Sequence, residues 1–242
     1  MKKSETRILV TGGMGFIGSE IIRLLLSKTN AHVANVDKLT YASNPEGLHF
    51  INEYPKLLSR YQFFRENICN QSEIEAVLKD FKPTAVIHTA AESHVDRSIN
   101  GPAAFMTTNM MGTYSLLEAC RKYFTTNLAL QSVFRFLHVS TDEVYGSVNP
   151  KKPATEHCAF QPNSPYSASK AASDHLVRAW NVTYQLPTLI THCSNNYGYY
   201  QFPEKLIPLC LIKALHEQPI PILAMDLICE SGFMLQITQT PF

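Results

Sequence analysis

The sequence predicts an α/β fold in which a doubly wound parallel sheet is covered by helices on both faces. Two observations support this prediction. Short apolar runs alternate with longer segments of helical periodicity, and a glycine-rich turn joins the first run to the first helical segment. Parallel strands joined by right-handed helical crossovers form such a sheet. Because ligands of these sheets lie beyond the carboxyl ends of the strands, the residues that follow each strand are the candidates for chemistry.

The predicted strands are short apolar runs, most of them followed directly by polar residues or glycine. Such runs are typical of strands that are buried on both faces of a parallel sheet. They cover residues 7–10, 33–36, 61–64, 85–88, 134–141 and 188–192.

The predicted helices are identified by apolar spacing and by their end signals. The first one, 16–28, has apolar residues on several sides, as a largely buried helix does. Ser72 and Glu75 match a capping box at the start of a helix over 72–81. Proline is tolerated near a helix start, which suits Pro102 at the beginning of a long helix within 102–124. A further helix is predicted over 166–184.

The composition excludes several classes of function. The chain has 242 residues, with 21 Lys and Arg against 20 Asp and Glu. This balance argues against a nucleic-acid surface and a basic membrane footprint, and no apolar run approaches the ~20 residues of a membrane span. The six cysteines form no CxxC pair, so we expect reduced thiols, no metal site and a cytoplasmic location.

The first strand ends in a glycine-rich turn that predicts a phosphate site. Gly12, Gly15 and Gly18 have the spacing GxxGxxG between a strand and a helix, which allows a tight turn and a close approach of pyrophosphate to the helix N-terminus. Asp37 follows the second strand at the distance expected for a carboxylate that binds ribose hydroxyls. The acid favours NAD over NADP, although Lys38 tempers this preference. The alternative is a glycine-rich turn with a capping aspartate.

Two later segments carry candidate catalytic groups. Tyr166 and Lys170 are four residues apart on a predicted helix and therefore share a face. We expect the ammonium to lower the pKa of the phenol, so that Tyr166 removes a proton from a sugar hydroxyl. Thr141, Asp142 and Glu143 follow a strand, where a hydroxyl and two acids can divide hydrogen bonding and acid–base work. The alternatives are a surface tyrosine with a solvated lysine, and a loop with a capping acid.

Together these segments resemble the extended short-chain dehydrogenase/reductase superfamily. Within its NAD-dependent epimerase/dehydratase family, the chain is similar to the dTDP-glucose 4,6-dehydratases over roughly residues 7–222. The resemblance implies a Rossmann-like NAD-binding fold. It is carried by VDKLTYASN at 36–44, AAESHVDRSI at 90–99, STDEVYG at 140–146 and SNNYG at 194–198.

The resemblance implies an NAD-dependent lyase that converts dTDP-glucose to dTDP-4-keto-6-deoxyglucose. Tyr166 would deprotonate the 4-hydroxyl while hydride leaves carbon 4, Glu143 would take the proton from carbon 5, and Asp142 would protonate the departing 6-hydroxyl. Thr141 and Lys170 would assist. The resemblance also implies a homodimer formed by the helices within 102–124 and 166–184, and Phe105, Leu116, Leu117 and Ala119 are compatible with that interface or with the sheet.

The family pattern also implies two sets of binding residues. The cofactor contacts map onto Gly12, Gly15, Phe16, Ile17, Gly18, Asp37, Lys38, Thr40, Asn67, Ile68, Ala90, Glu92, Tyr166 and Lys170. The sugar-nucleotide contacts map onto His94, Thr141, Asn195, Lys205 and Leu206.

The chain departs from the family pattern mainly at its C-terminal end. His192 and Tyr199 stand where the family commonly has arginine and proline, and the resemblance stops after Ile222. The tail 223–242 has no lysine or arginine with which to bind a pyrophosphate. We therefore expect an NAD-binding domain over 1–185, a partial substrate-binding region over 186–242, and a chain that is C-terminally truncated or altered.

Two other functions remain open from the sequence. One is a sugar-nucleotide epimerase or reductase on the same fold, which would tolerate the loss of Asp142 and Glu143. The other is a non-catalytic NAD-binding protein that lacks a complete substrate site.

Overall fold

The protein is built around a six-stranded, all-parallel sheet. The computed structural model describes residues 5–147 and 153–220 and the backbone of 232–235. The strand order is β3-β2-β1-β4-β5-β6, which confirms the predicted doubly wound architecture. The strands are β1 (Arg7–Thr11), β2 (His32–Val36), β3 (Tyr61–Phe64), β4 (Ala85–His88), β5 (Arg135–Thr141) and β6 (Thr188–Cys193).

The register of these strands aligns their carboxyl ends along one edge of the sheet. Thr11 pairs with Val36 of β2 on one side and with His88 of β4 on the other. At the far end, Thr141 pairs with Cys193 of β6. The residues that follow each strand therefore meet at this edge, which we call the carboxyl edge.

Helices cover both faces of the sheet and form most of the connections. A π-helical segment, Met106–Gly112, joins α5 to α6, so the long helical run predicted within 102–124 is confirmed with a widened turn. Single 3₁₀ segments cover Pro45–Glu53, Leu128–Leu130 and Asp142–Tyr145. The α-helices are α1 (Phe16–Lys28), α2 (Pro55–Leu58), α3 (Gln71–Phe81), α4 (Val95–Asn100), α5 (Pro102–Phe105), α6 (Thr113–Thr126), α7 (Pro165–Tyr184) and α8 (Leu206–Leu215).

The predicted N-cap of α3 is wrong by two residues. The helix begins at Gln71, and its N-cap is Asn70 rather than Ser72. The Ser72 hydroxyl instead donates to Oδ1 of Asn70 at 2.9 Å. A short polar side chain can bond to its neighbour's side chain as well as to the backbone, and sequence alone does not distinguish the two.

The core has two layers because successive residues of a strand face opposite sides of the sheet. Leu9 of β1 packs with Leu116 of α6 in one layer, and Val10 packs with Ile22 of α1 in the other. The side chains that the sequence left open between the core and a dimer interface are all buried and therefore belong to the interior; they are Phe105, Leu116, Leu117 and Ala119.

A small second sheet and α8 follow β6. Strand β7 (Asn195–Gly198) pairs in parallel with β8 (Gly232–Leu235). The predicted domain boundary between residues 185 and 186 stays a prediction. Strand β6, which follows that boundary, belongs to the large sheet. Among the described residues, no helix combines the length and apolar character required to cross a bilayer.

Candidate active site

The glycine turn after β1 has a backbone shape that side chains would prevent. Gly12 has φ = 72°, and a Cβ atom there would lie 2.6 Å from Cα of Ala90, so the turn requires glycine for conformation and for space. A Cβ atom on Gly18 would overlap the carbonyl of Gly12. Gly15 is the N-cap of α1 and has no side chain that could cap the helix. The first amides of α1 therefore stay available to a ligand, and the positive end of the helix dipole lies at the carboxyl edge.

Asp37 joins this turn to the end of β2. Its buried carboxylate accepts hydrogen bonds from the amide of Met14 at 2.9 Å and from the amide of Leu39 at 2.8 Å. The Ser43 hydroxyl also donates to it at 3.3 Å, and the amide of Thr40 donates to that same hydroxyl. The carboxylate thus joins the turn after β1 to the loop after β2.

The loop after β4 is held by a residue that the sequence analysis missed. The Asn109 side chain accepts from the amide of Glu92 at 2.8 Å and donates to its carbonyl at 3.0 Å and to Oγ of Ser169 at 2.8 Å. Lys38 approaches Oε1 of Glu92 at 3.5 Å. Asn109 therefore links the cofactor-side residues Lys38 and Glu92 to α7. An asparagine inside a predicted helix was its only sequence signal.

Tyr166 and Lys170 lie side by side at the start of α7, as predicted. The helix begins with a capping box between Ser164 and Ser167. Both side chains are buried, and Nζ of Lys170 donates to the carbonyl of Val139 at 2.9 Å. Burial lowers the pKa of Lys170 to about 8.

The expectation that the pKa of Tyr166 is lowered is wrong for this structure. Burial, followed by the nearby charge of Glu143, raises the pKa of the Tyr166 phenol, while a hydrogen bond with Thr141 opposes the rise. Desolvation outweighs the attraction expected from Lys170 because the phenolate would lose its solvation by water.

The two predicted acids follow β5 in a single 3₁₀ turn. Thr141 is the N-cap of that turn, and its hydroxyl accepts from the amide of Glu143 at 3.3 Å. Burial raises the pKa of the half-buried Asp142, so this carboxyl holds a proton more readily than an exposed one does. The structure therefore brings Thr141, Asp142, Glu143, Tyr166 and Lys170 to one end of the sheet.

The predicted substrate residues are placed less uniformly. Nζ of Lys205 donates to the carbonyl of Ser93 at 2.8 Å. Burial lowers the pKa of Lys205, while the negative charges of Glu204 and then Glu143 oppose that fall. Nε2 of His94 lies 3.7 Å from Oε2 of Glu204, which follows the small sheet. Asn195 and Leu206 are exposed.

The remaining predicted cofactor residues fall into two groups. Phe16 and Ile17 open α1 beside the glycine turn. Oδ1 of Asn67 accepts from the amide of Cys69 at 3.0 Å, whereas the side chain of Ile68 is buried in the core. Among the described residues, no group of three or more His, Cys, Asp or Glu side chains forms a metal site.

Known proteins share this fold. A family model described as GDP-mannose 4,6 dehydratase matches residues 9–226. Since the match spans most of the chain, the chain belongs to this family of nucleotide-sugar 4,6-dehydratases. The match reaches residue 226 rather than stopping after Ile222; the divergent tail 223–242 lies outside the described residues, apart from the backbone of 232–235.

The similar proteins include dehydratases and an epimerase. The dTDP-glucose 4,6-dehydratase of Salmonella typhimurium is 53% identical over 226 residues, and the alignment covers 89% of this chain and 62% of the relative. The dTDP-glucose 4,6-dehydratase of Streptomyces venezuelae, solved with NAD bound, is 40% identical with a TM-score of 0.86, covering 95% of this chain and 68% of that chain. The UDP-glucose 4-epimerase of Thermus thermophilus, also solved with NAD, is 33% identical with a TM-score of 0.74, covering 89% and 64%.

The length of the chain differs from that of these relatives. It spans about 62% of the curated dehydratase from Salmonella typhimurium. The glycine turn after β1 and the tyrosine–lysine pair of α7 both lie within the matched residues 9–226.

Proposed function

We propose that this chain binds NAD at the carboxyl edge and dehydrates dTDP-glucose to dTDP-4-keto-6-deoxyglucose. The observation that carries the proposal is the placement of Asp142 and Glu143 in one turn, directly after Thr141 and beside Tyr166. Dehydration needs both an acid and a base in addition to the group that removes the hydroxyl proton. The dehydratases from Salmonella typhimurium and Streptomyces venezuelae support the choice of dTDP-glucose.

The residues of the carboxyl edge fit a dinucleotide. The turn at Gly12 and Gly18 has no room for side chains and leaves the backbone open to a pyrophosphate at the start of α1. The Asp37 carboxylate lies at the end of β2, where the ribose hydroxyls of such a ligand lie. Tyr166 and Lys170 would lie at the nicotinamide end, and Thr40, Ala90 and Glu92 would line the walls.

The chain's own residues then divide the acid–base work. What NAD would supply when bound is reversible hydride transfer, away from carbon 4 before water leaves and to carbon 6 afterwards. Tyr166 would take the proton of the sugar 4-hydroxyl in its ionised form, which the positive charges of Lys170 and of a bound nicotinamide would favour against the effect of burial. The Thr141 hydroxyl would orient the 4-hydroxyl by hydrogen bonding. Once carbon 4 is a ketone, the neighbouring C–H is acidic, and Glu143 removes its proton. Asp142, whose pKa burial raises, donates a proton to the departing 6-hydroxyl.

The nucleotide and sugar would be held by residues beyond β4 and β6. Lys205 provides a cation near Glu143, and His94 and Asn195 would provide polar groups. Leu206 opens α8 next to Lys205. Lys205 is the cation that we expect to contact the pyrophosphate of the sugar nucleotide.

The test is to incubate the purified chain with NAD and dTDP-glucose and to measure the molecular mass of the product by mass spectrometry. Dehydration removes one water, whereas epimerisation leaves the mass unchanged. We expect a product lighter by one water, which is lost in D142N and E143Q. A product of unchanged mass that survives both substitutions would support the epimerase instead. NAD retained without any binding of dTDP-glucose would support the non-catalytic alternative and overturn the proposed reaction.

We further propose a cytoplasmic homodimer. Exposed apolar side chains lie on the outer surface of the α6–α7 layer; they are Met111, Tyr114, Val182 and Tyr184. Sedimentation should show a dimer that Y114E disrupts, while the control L128E, exposed on a separate 3₁₀ turn, leaves it intact. The cysteines that the structure describes are free thiols, which suits a reducing compartment.

A further inference from the structure

Asp174 is a buried carboxylate that the proposed reaction does not use. It lies four residues after Lys170 and eight after Tyr166, so all three residues share one face of α7. Its side chain is 2% exposed. A carboxylate at this depth is tolerated only where hydrogen bonds and an opposite charge replace water.

Three side chains from two strands surround this carboxylate. Oγ of Ser140 donates to Oδ2 of Asp174 at 2.9 Å, and Nε2 of His192 lies 3.1 Å from the same oxygen. Nε2 of His138 lies 3.2 Å from Oδ1. The close approach of the His138 imidazole and hydrogen bonds with His192 and Ser140 hold the pKa of Asp174 at about 2 despite its burial, so the group is ionised near neutral pH.

The buried imidazoles nearest to this site do not supply the balancing charge. Burial and, after it, the positive charge of Lys170 lower the pKa of His138 to about 4. Burial also lowers the pKa of His88, which hydrogen-bonds Thr11 and Thr113 through its two nitrogens. Both imidazoles are therefore neutral at pH 7.

Lys170 lies one turn before Asp174 on the same face of α7. Burial lowers the pKa of Lys170, and the negative charge of Asp174 opposes that fall. Lys170 and Asp174 also anchor consecutive residues of β5. Nζ of Lys170 bonds the carbonyl of Val139, and Asp174 accepts from Ser140. The next residue along the strand is Thr141.

We propose that Asp174 is a positioning residue for the tyrosine–lysine pair, whose buried charge keeps Lys170 ionised while its bond to Ser140 fixes the strand end that carries Thr141. The relevance of this role to catalysis rests on the proposed function. The ionic coupling itself requires neither NAD nor a sugar nucleotide.

Several titratable groups surround the pair and set the conditions of a test. Tyr166 shares α7, and Tyr145 bonds Nδ1 of His192 at 3.1 Å. The strands contribute His88 from β4, His138 from β5, and His192 and Cys193 from β6. A bulk pH profile would mix all of these groups, so the titration of Lys170 has to be observed alone.

The experiment is an NMR titration of the full chain labelled with ¹³C at lysine Cε, with K170M assigning the Lys170 signal. We expect the wild-type Lys170 to titrate with a pKa of about 8. D174N should lower that pKa by about one unit or more, because the opposite charge is lost. S140A is the matched control: it removes a hydrogen bond to the same carboxylate but keeps its charge, and should leave the pKa of Lys170 within a few tenths.

A pKa of Lys170 that is equal in D174N and wild type would overturn the proposal. If D174N does not fold, K170M provides the same test from the other side, because coupling between two sites is reciprocal. Loss of the cation should then raise the pKa of the Asp174 carboxyl, observed with ¹³C-labelled aspartate, and an unmoved carboxyl would equally overturn the proposal. Failure of NAD binding or turnover leaves both titrations unaffected, so the two proposals fail separately.

Discussion

The carboxyl edge of the large sheet and the helix α8 differ in how their side chains are supported. At the edge, Asp37, Asn109 and Asp174 each bond two or more neighbouring segments. In α8, by contrast, no residue is buried within the described part of the chain, and Leu211 and Leu215 are 60% and 83% exposed. The side chains proposed to hold NAD therefore rest on a rigid frame, whereas Leu206 begins a helix with little packing.

This contrast indicates where function should be robust and where it should be weak. A site is effective when neighbouring packing and hydrogen bonds lock its side chains. The carboxyl edge meets that condition, and Lys205 meets it in part through its bond to Ser93. Substitutions in the two regions should therefore differ strongly in their effects.

The largest expected effect is that of Gly12→Ala. The new methyl group would lie 2.6 Å from Cα of Ala90, at a backbone angle that alanine rarely adopts. We expect a loss of roughly 3 kcal/mol or more in the free energy of unfolding, and loss of NAD binding in calorimetry. The matched control is Gly101→Ala, whose Cβ would have its nearest neighbour at 3.7 Å. Equal behaviour of the two variants would contradict the tight turn.

A second effect concerns acid stability at the carboxyl edge. The pKa of Asp174 is about 2 in the folded chain against 3.8 as its ordinary value. A depressed acid stabilises the fold above its unfolded pKa, and this contribution is lost as the pH falls from about 4 to 2. The loss should be on the order of 2 kcal/mol. Urea unfolding should show the difference between wild type and D174N shrinking over that range; a constant difference would exclude this source of stability.

A smaller effect is expected on the choice of cofactor. Asp37→Asn removes the negative charge that would repel the additional phosphate of NADP. We expect the ratio of the two dissociation constants to shift about 10-fold toward NADP. The control Ser43→Ala removes one bond to Asp37 but keeps the charge, so its ratio should match wild type. Fluorescence titration with both nucleotides measures the ratio, and a D37N ratio unchanged from wild type would count against ribose recognition by Asp37.

The smallest effect is expected in α8. Leu211→Lys places a charge at a position already exposed to water. The free energy of unfolding, measured by thermal denaturation, should therefore change by no more than about 0.5 kcal/mol. Leu116→Lys, at a fully buried site in α6, serves as the contrasting variant and should unfold the protein. A large loss in L211K would show that α8 is packed more firmly than its exposure indicates.

Most of the fold was predictable because its signals are local. Apolar runs located the six strands of the large sheet within a few residues, and the four-residue spacing of Tyr166 and Lys170 placed them together. The supporting residues were not predictable in this way. Asn109 and Asp174 act on segments that are distant in sequence, and their partners are defined only by the strand order.

The pKa of Tyr166 was the clearest failure of sequence reasoning. A neighbouring lysine is visible in the sequence, but the depth of burial that outweighs it is a property of the folded chain. The negative charge of Glu143, in the turn after β5, also raises the pKa of Tyr166. The balance of solvation and charge thus requires the structure.

The most direct test of the central claim is a crystal structure of this chain with NAD. The account predicts the pyrophosphate at the start of α1 beside Gly12, and the nicotinamide ring against Tyr166 with Thr141, Asp142 and Glu143 facing it. A dinucleotide bound elsewhere, or a ring separated from these side chains, would contradict it.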